Sequence, residues 1–233
     1  MRTVCVYTKR LSASIEKANR CVKSGKKFGI DVELYESIFW RDVESEAKKI
    51  KLKLRYTPYD RATTDFKNKR APATRIANGI THYTLYKWAV ENKQPVCILE
   101  HDSIFVGKLP EPIYNGIIQI SSHNDYQLTA EKMFNCSRAV KMKKHEPGRI
   151  YNWNWPEEGV MVHPLSGMNG TSGYVVGPGA AQKMVEYIES SGVAFADRVR
   201  TEHIGEGNLY LQVPQSVFCK CDIETAKMMR GLM

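Results

Sequence analysis

Glu100 and Asp102, with His101 between them, are the side chains of this chain best placed by type and spacing to do chemistry together. Hard divalent cations such as Mg2+ or Mn2+ take oxygen ligands of this kind, usually one or two carboxylates completed by substrate phosphates. A cation held there would neutralise the negative charge that collects on a departing diphosphate. His101 could add a third ligand. On an extended chain, however, the middle residue points away from its two neighbours, which assigns it a supporting or substrate-side contact. A lone Glu-x-Asp can equally cap a segment or form an ion pair, so its setting decides.

That setting is a strand end. Val96-Cys97-Ile98-Leu99 is a short, continuously apolar run of the kind found in a central parallel strand. In open α/β sheets, ligands bind beyond the carboxyl ends of the strands. A helix is expected over residues 73–92, with Ile76, Ile80, Tyr83, Leu85 and Trp88 on its apolar side, broken by Asn92-Lys93-Gln94-Pro95. The chain opens with an expected strand over 2–7. A helix follows, capped by Ser12 or Ser14, running toward Phe28 and ended by Gly29; a second strand covers 30–35. Such a β-α-β opening is the signature of a parallel sheet covered by helices. Residues 41–53 read as a charged helix and 57–60 as a turn. A further strand is expected over 116–122, another over 173–177, a helix with proline in its first turn over 178–190, and a last strand over 209–213. Between 124 and 164 periodicity fails; this long irregular region carries Tyr151, Trp153 and Trp155, which could pack together or stack on a sugar or base.

The 233 residues suit a single domain over 1–233. Lys and Arg number 34 against 25 Asp and Glu, a formal charge of +9, which favours a polyanionic partner. The basic cluster Lys67-Asn68-Lys69-Arg70 is either a solvated loop or part of that contact. No apolar run approaches the roughly 20 residues of a membrane span. The opening apolar run is too short for a signal peptide, so a cytoplasmic location is expected (host cytoplasm for a phage-encoded protein), with peripheral membrane contact left open. Cys5 and Cys97 lie in apolar runs, where cysteine acts as a small hydrophobe. Cys219-Lys220-Cys221 has the wrong spacing for a zinc site.

Residues 77–105, ANGITHYTLYKWAVENKQPVCILEHDSIF, resemble the central signature of glycosyltransferase family 25, which includes bacterial lipooligosaccharide galactosyltransferases and collagen-modifying relatives. Thr81-His82 stands in the family's Ser-His place, Tyr86 in its aromatic place, and Ile98-Leu99-Glu100-His101-Asp102 in its Ile-Leu-Glu-Asp-Asp place. Gly170-Thr171-Ser172-Gly173-Tyr174 is similar to its Gly-Thr-x-x-Tyr strand, and Asp197 falls where it carries an aspartate after the next helix. Three positions depart: Ala77 replaces a glycine, His101 an aspartate, and Thr8-Lys9-Arg10 follows the first strand in place of Asn-Leu and an arginine pair.

The resemblance implies a GT-A-like, Rossmann-type α/β sandwich with a mostly parallel central sheet flanked by helices, divided into a nucleotide-sugar-binding half (1–122) and an acceptor-binding half (123–233). It implies a nucleotide-sugar donor, with a UDP-sugar expected, contacting Tyr7, Thr8, Lys9, Arg75, Glu100 and His101, and Mn2+ or Mg2+ on Glu100 and Asp102. It also implies inverting transfer with one base, Asp197 first and Glu202 second. His82 is expected to tie helix to sheet. Two acceptors fit: a lipooligosaccharide-type glycolipid, slightly favoured, or DNA with hydroxymethylated bases, whose phosphates the basic charge would track. A non-catalytic nucleic-acid-binding protein on the same scaffold is the contrasting class.

Overall fold

The structure, a computed structural model, describes residues 1–56, 70–123, 149–152, 172–196, 199, 209–213 and 217–219. β1 (Arg2–Tyr7) buries its four middle residues. Val4 and Val6 enter one core and Cys5 the other, so both faces of the strand are covered. That is why the run is continuously apolar instead of alternating.

α1 (Ser12–Lys26) buries Ser14, Ala18, Cys21, Ser24 and Gly25. The expected hydroxyl cap is not made. Leu11 precedes the helix without a side-chain cap bond, and the Ser14 hydroxyl instead accepts the Thr8 amide at 2.9 Å. Gly29 closes the segment as expected: at φ +72° its amide and that of Ile30 return to the carbonyls of Lys26 and Gly25, both at 3.1 Å. This left-handed closure is glycine's ordinary use after a helix. β2 (Glu33–Glu36) follows, three residues later than read from the sequence. A 3-10 turn (Trp40–Asp42) leads into α2 (Val43–Lys49). The helix expected to reach 53 stops early, because Lys51 takes φ 57° and the Leu52 amide turns back to the Ala47 carbonyl at 2.9 Å.

α3 (Arg70–Asn92) starts three residues earlier than expected and leads into β3 (Val96–Glu100). β4 (Ser103–Phe105) comes directly after the acidic turn. The single strand expected over 116–122 is two strands, β5 (Ile117–Gln119) and β6 (Ser121–His123), in different sheets. The region expected to be irregular contains β7 (Arg149–Asn152). β8 (Gly173–Val176), α4 (Pro178–Ser191), β9 (Leu209–Val213) and β10 (Val217–Cys219) complete the described elements.

The main sheet has the order β2-β1-β3-β8-β5-β9-β7, and a smaller one the order β4-β10-β6. β2, β1 and β3 are mutually parallel; β8 runs antiparallel to both β3 and β5. β9 is parallel to β5, and β7 antiparallel to β9. The α/β sandwich expected from sequence is present, with a sheet that is mixed where a mostly parallel one was expected. The antiparallel insertion of β8 sets the boundary between the parallel opening and the rest.

α3 and α4 cover one face, over a core that includes Val4, Val6, Ile98 and Val176. Gly79 permits their close approach: a side chain there would run into the carbonyl of Ala194, just after α4. α1 covers the other face with Phe105 and Val217 of the smaller sheet. Cys5, Cys21 and Cys97 are buried free thiols in that second core, as expected for Cys5 and Cys97. Hydrogen bonding with Cys21 and burial push the Cys5 thiol far up, and burial does the same to Cys97, so both remain protonated packing groups. No helix among the described residues is long and apolar enough to cross a membrane.

Candidate functional site

Because β1, β2 and β3 are parallel, Tyr7, Glu36 and Glu100 all emerge at one edge of the sheet. The loops there are cross-linked. The Ser37 amide donates to the Tyr7 carbonyl at 2.7 Å, and the hydroxyls of Thr8 and Ser37 lie 2.7 Å apart. The Ile38 amide donates to the Thr81 hydroxyl of α3 at 3.1 Å. The three residues expected at the donor, Tyr7, Thr8 and Lys9, are thus on this edge. Lys9 pairs with Glu36 at 2.8 Å, and both are exposed, so the pair is weak and its ammonium can exchange partners at little cost.

Glu100 ends β3 opposite Val6 of β1. Its amide donates to the Ser172 carbonyl at 3.1 Å, and the Ser103 hydroxyl donates to the same carbonyl, which pins both sides of the acidic turn to the start of β8. The Glu100 carboxylate accepts from the Asn78 amide nitrogen at 3.2 Å. That nitrogen also lies 3.4 Å from Nε2 of His82, one helical turn along α3. Nδ1 of His82 is 2.5 Å from the Tyr174 hydroxyl, which is 2.7 Å from the Tyr86 hydroxyl. A polar chain therefore runs from the half-buried Glu100 into the core, where His82 and Tyr174 have no exposed surface.

Asn78 donates one amide hydrogen to Glu100 and directs the other toward Nε2 of His82. Further in, the His82 ring and the hydroxyls of Tyr174 and Tyr86 can each serve as donor or acceptor. His82 does tie helix to sheet, through Tyr174 of β8. Asn78 was not singled out from sequence, and Tyr174 was named there only as the end of the Gly-Thr-x-x-Tyr run, without a role. The available signals were Asn78 standing four residues before His82 and Tyr174 closing the Gly-Thr-Ser-Gly-Tyr run.

His101 and Asp102 form the turn itself, and Asp102 is only 5% exposed. Burial holds the His101 imidazole below its ordinary range; the charge of Asp102 opposes this, and those of Lys17 and Arg20 on α1 add to it. The charges of Asp102 and Glu100 also contribute, after Cys21 and burial, to raising the Cys5 thiol. Arg75 is half-buried, one turn before Asn78 on α3. Among the described residues no group of three or more His, Cys, Asp or Glu side chains could hold a metal ion. Asp197, Glu202, Trp153, Trp155 and residues 67–69 lie outside the described residues, as do the turn expected at 57–60 and Cys221; Tyr151 is in β7.

A model of glycosyltransferase family 25, described as an LPS biosynthesis protein, matches residues 63–199, more than half of the chain and including Glu100, His82 and Tyr174. No curated protein matches. Among solved structures, CTP:phosphocholine cytidylyltransferase (LicC) from Streptococcus pneumoniae is similar over 99% of this chain and 98% of that one, at 10% identity and a TM-score of 0.43.

Proposed function

Since the chain belongs to glycosyltransferase family 25 and is therefore an enzyme that transfers sugar, we propose that it moves a sugar from a nucleotide-sugar donor to a hydroxyl of a polyanionic acceptor, with inversion. The observation that carries this reading is the carboxylate of Glu100, aligned by Asn78 at the edge where β1, β2 and β3 all end. Ligands of open α/β sheets bind at such edges.

Glu100 and Asp102 are hard oxygen donors, which fits Mn2+ or Mg2+. Two carboxylates would leave most of the coordination shell to diphosphate oxygens and water. Bound there, the cation would supply positive charge to the leaving diphosphate. Glu100, half-buried and hydrogen-bonded, holds its orientation before the ligand arrives; the nearly buried Asp102 gives the turn its second negative charge. Tyr7, Thr8, Lys9 and Arg75, with His101 at the turn, would contact the donor, a UDP-sugar in the first instance. Asp197, or Glu202 in its place, would take the proton of the acceptor hydroxyl. A lipooligosaccharide-type glycolipid is the acceptor favoured, in line with the LPS biosynthesis description of the family.

The test is nucleotide release from a panel of nucleotide sugars with Mn2+. We expect slow release from one donor, lost in Asp102→Ala and Glu100→Gln and stimulated by truncated lipooligosaccharide. Stimulation by hydroxymethylcytosine DNA alone would move the acceptor to DNA. Release by no donor, with nucleic acid bound all the same, would replace the catalyst with a binding protein.

A further inference from the structure

On the other face of the sheet from Asn78, the acidic turn is flanked by α1. The Phe105 amide of β4 donates to the Ser24 hydroxyl of α1 at 2.9 Å, which pins the far end of β4 to the last turns of that helix. A strand advances about 3.3 Å per residue and a helix about 1.5 Å. The two residues back from Phe105 to Ser103 thus span about the same length as the four back from Ser24 to Arg20. Arg20, and Lys17 one turn earlier on the same side of the helix, come level with the turn formed by His101 and Asp102. The influence of both cations on His101 agrees with that register.

Arg20 is only partly exposed, and its Nε and Nη2 atoms are fully buried without a hydrogen-bond partner. These two nitrogens form one edge of the guanidinium, the pair of parallel donors that matches two oxygens of a carboxylate or phosphate. Arg20 forms no ion pair with any described residue. Burying a cation's donors without an acceptor is costly, and an oxyanion that displaced the groups now covering this edge would remove that cost.

We propose that Arg20, with Lys17 beside it, is a phosphoryl-binding site on the α1 side of the acidic turn. The phosphoryl group belongs either to the donor's diphosphate or to a phosphate carried by the acceptor. Binding itself does not depend on sugar transfer; the assignment to a donor or acceptor rests on the function proposed above. Arg20 grips two oxygens along its Nε–Nη2 edge, and Lys17 adds charge without fixed geometry.

The experiment is calorimetric titration of the full chain with pyrophosphate in chelator-treated buffer, so that Glu100 and Asp102 hold no cation. We expect binding by the wild type and roughly ten- to hundredfold weaker binding by Arg20→Met, as for loss of a charge-assisted bidentate contact. Methionine keeps much of the apolar stem, and a cooperative melt checks that the variant folds. Arg20→Lys, which keeps charge but not the fork, should fall between the two and serves alone if the methionine variant does not fold. Competition then identifies the source: displacement by a nucleoside diphosphate assigns the donor, and displacement by a phosphorylated saccharide alone assigns the acceptor. Absence of pyrophosphate binding, equal binding by wild type and Arg20→Met, or displacement by neither competitor overturns the site. Binding through Arg20 in a protein that transfers no sugar leaves the site standing and removes the transferase mechanism. Transfer with no pyrophosphate binding does the reverse.

Discussion

At the scale of single residues, the site is organised by an amide. Asn78 is the polar link between the Glu100 carboxylate and the buried His82–Tyr174–Tyr86 chain. Outer groups that hold a metal-binding side chain typically matter about 10- to 100-fold for affinity or activity. Asn78→Ala should therefore weaken Mn2+ binding and slow nucleotide release by about tenfold, while costing about 1 kcal/mol of stability. A Mn2+ titration beside a urea melt reads both; unchanged Mn2+ affinity would mean that Glu100 needs no alignment. The carboxylates were legible because their type and place after an apolar run announce them. Asn78 was not, since its role depends on a contact with Glu100, 22 residues away. His101 offers a second prediction. Its folded pKa is lowered, chiefly by burial, so the unfolded chain takes up a proton more readily as pH falls through the ordinary histidine range near 6.5. Stability should be undiminished by this group above that range and fall on acidification through it. His101→Gln should flatten the decline in melting temperature between neutral and mildly acidic buffer; an equal decline in both proteins would assign the acid sensitivity elsewhere.

At the scale of elements, two glycines separate a crowded position from a conformational one. Gly79 lies where α3 meets the chain just after α4, and a methyl group there would collide with the Ala194 carbonyl, which is backbone and cannot swing aside. Gly29 has open space around it but φ +72°. Gly79→Ala should destabilise by about 1–3 kcal/mol or more, through forced separation of packed elements. Gly29→Ala should cost about 1–2 kcal/mol, from the left-handed backbone alone. Chemical denaturation ranks them, and only Gly79→Ala should also impair transfer, because α3 carries Asn78 toward Glu100. If Gly29→Ala proved the more damaging, the close approach at Gly79 would not be a constraint. Element identity was readable where one periodicity ran unbroken, as in β1, α1, α3 and α4. It was not readable at 116–122, where the apolar run continues through Ile120 while the chain passes from one sheet to another. Hydropathy records burial and is blind to which sheet receives the strand. β7 was missed for a related reason: its four residues gain strand character from pairing with β9, 60 positions or so along the chain, and a segment that short has little periodicity of its own.

At the scale of the whole molecule, the +9 charge bears on the polyanionic acceptor proposed above. Acids that would hold the cation, Glu100 and Asp102, sit at the turn, while Lys17 and Arg20 lie on α1 near it, and Lys9 and Arg10 follow β1 in exposed pairs with Glu36 and Asp42 that an anionic ligand can exchange. Local negative charge within a positive surround suits a substrate whose reacting part is held through a cation and whose remainder is itself anionic. Surface attraction of that kind is screened within about 8 Å at physiological ionic strength. Raising salt should therefore increase KM for the acceptor. With saturating donor and acceptor, kcat should stay nearly level, because the chemistry takes place in contacts shorter than the screening length. A DNA acceptor would give a steep, linear loss of log affinity with log salt, about 0.9 per phosphate neutralised. A glycolipid with a few phosphates should give a shallower slope that disappears when those phosphates are removed enzymatically. Initial rates over a series of salt concentrations, with intact and dephosphorylated lipooligosaccharide, separate these cases. An acceptor KM indifferent to salt in both would show that the positive surface takes no part in recognition, and the acceptor would then have to be sought among neutral glycans.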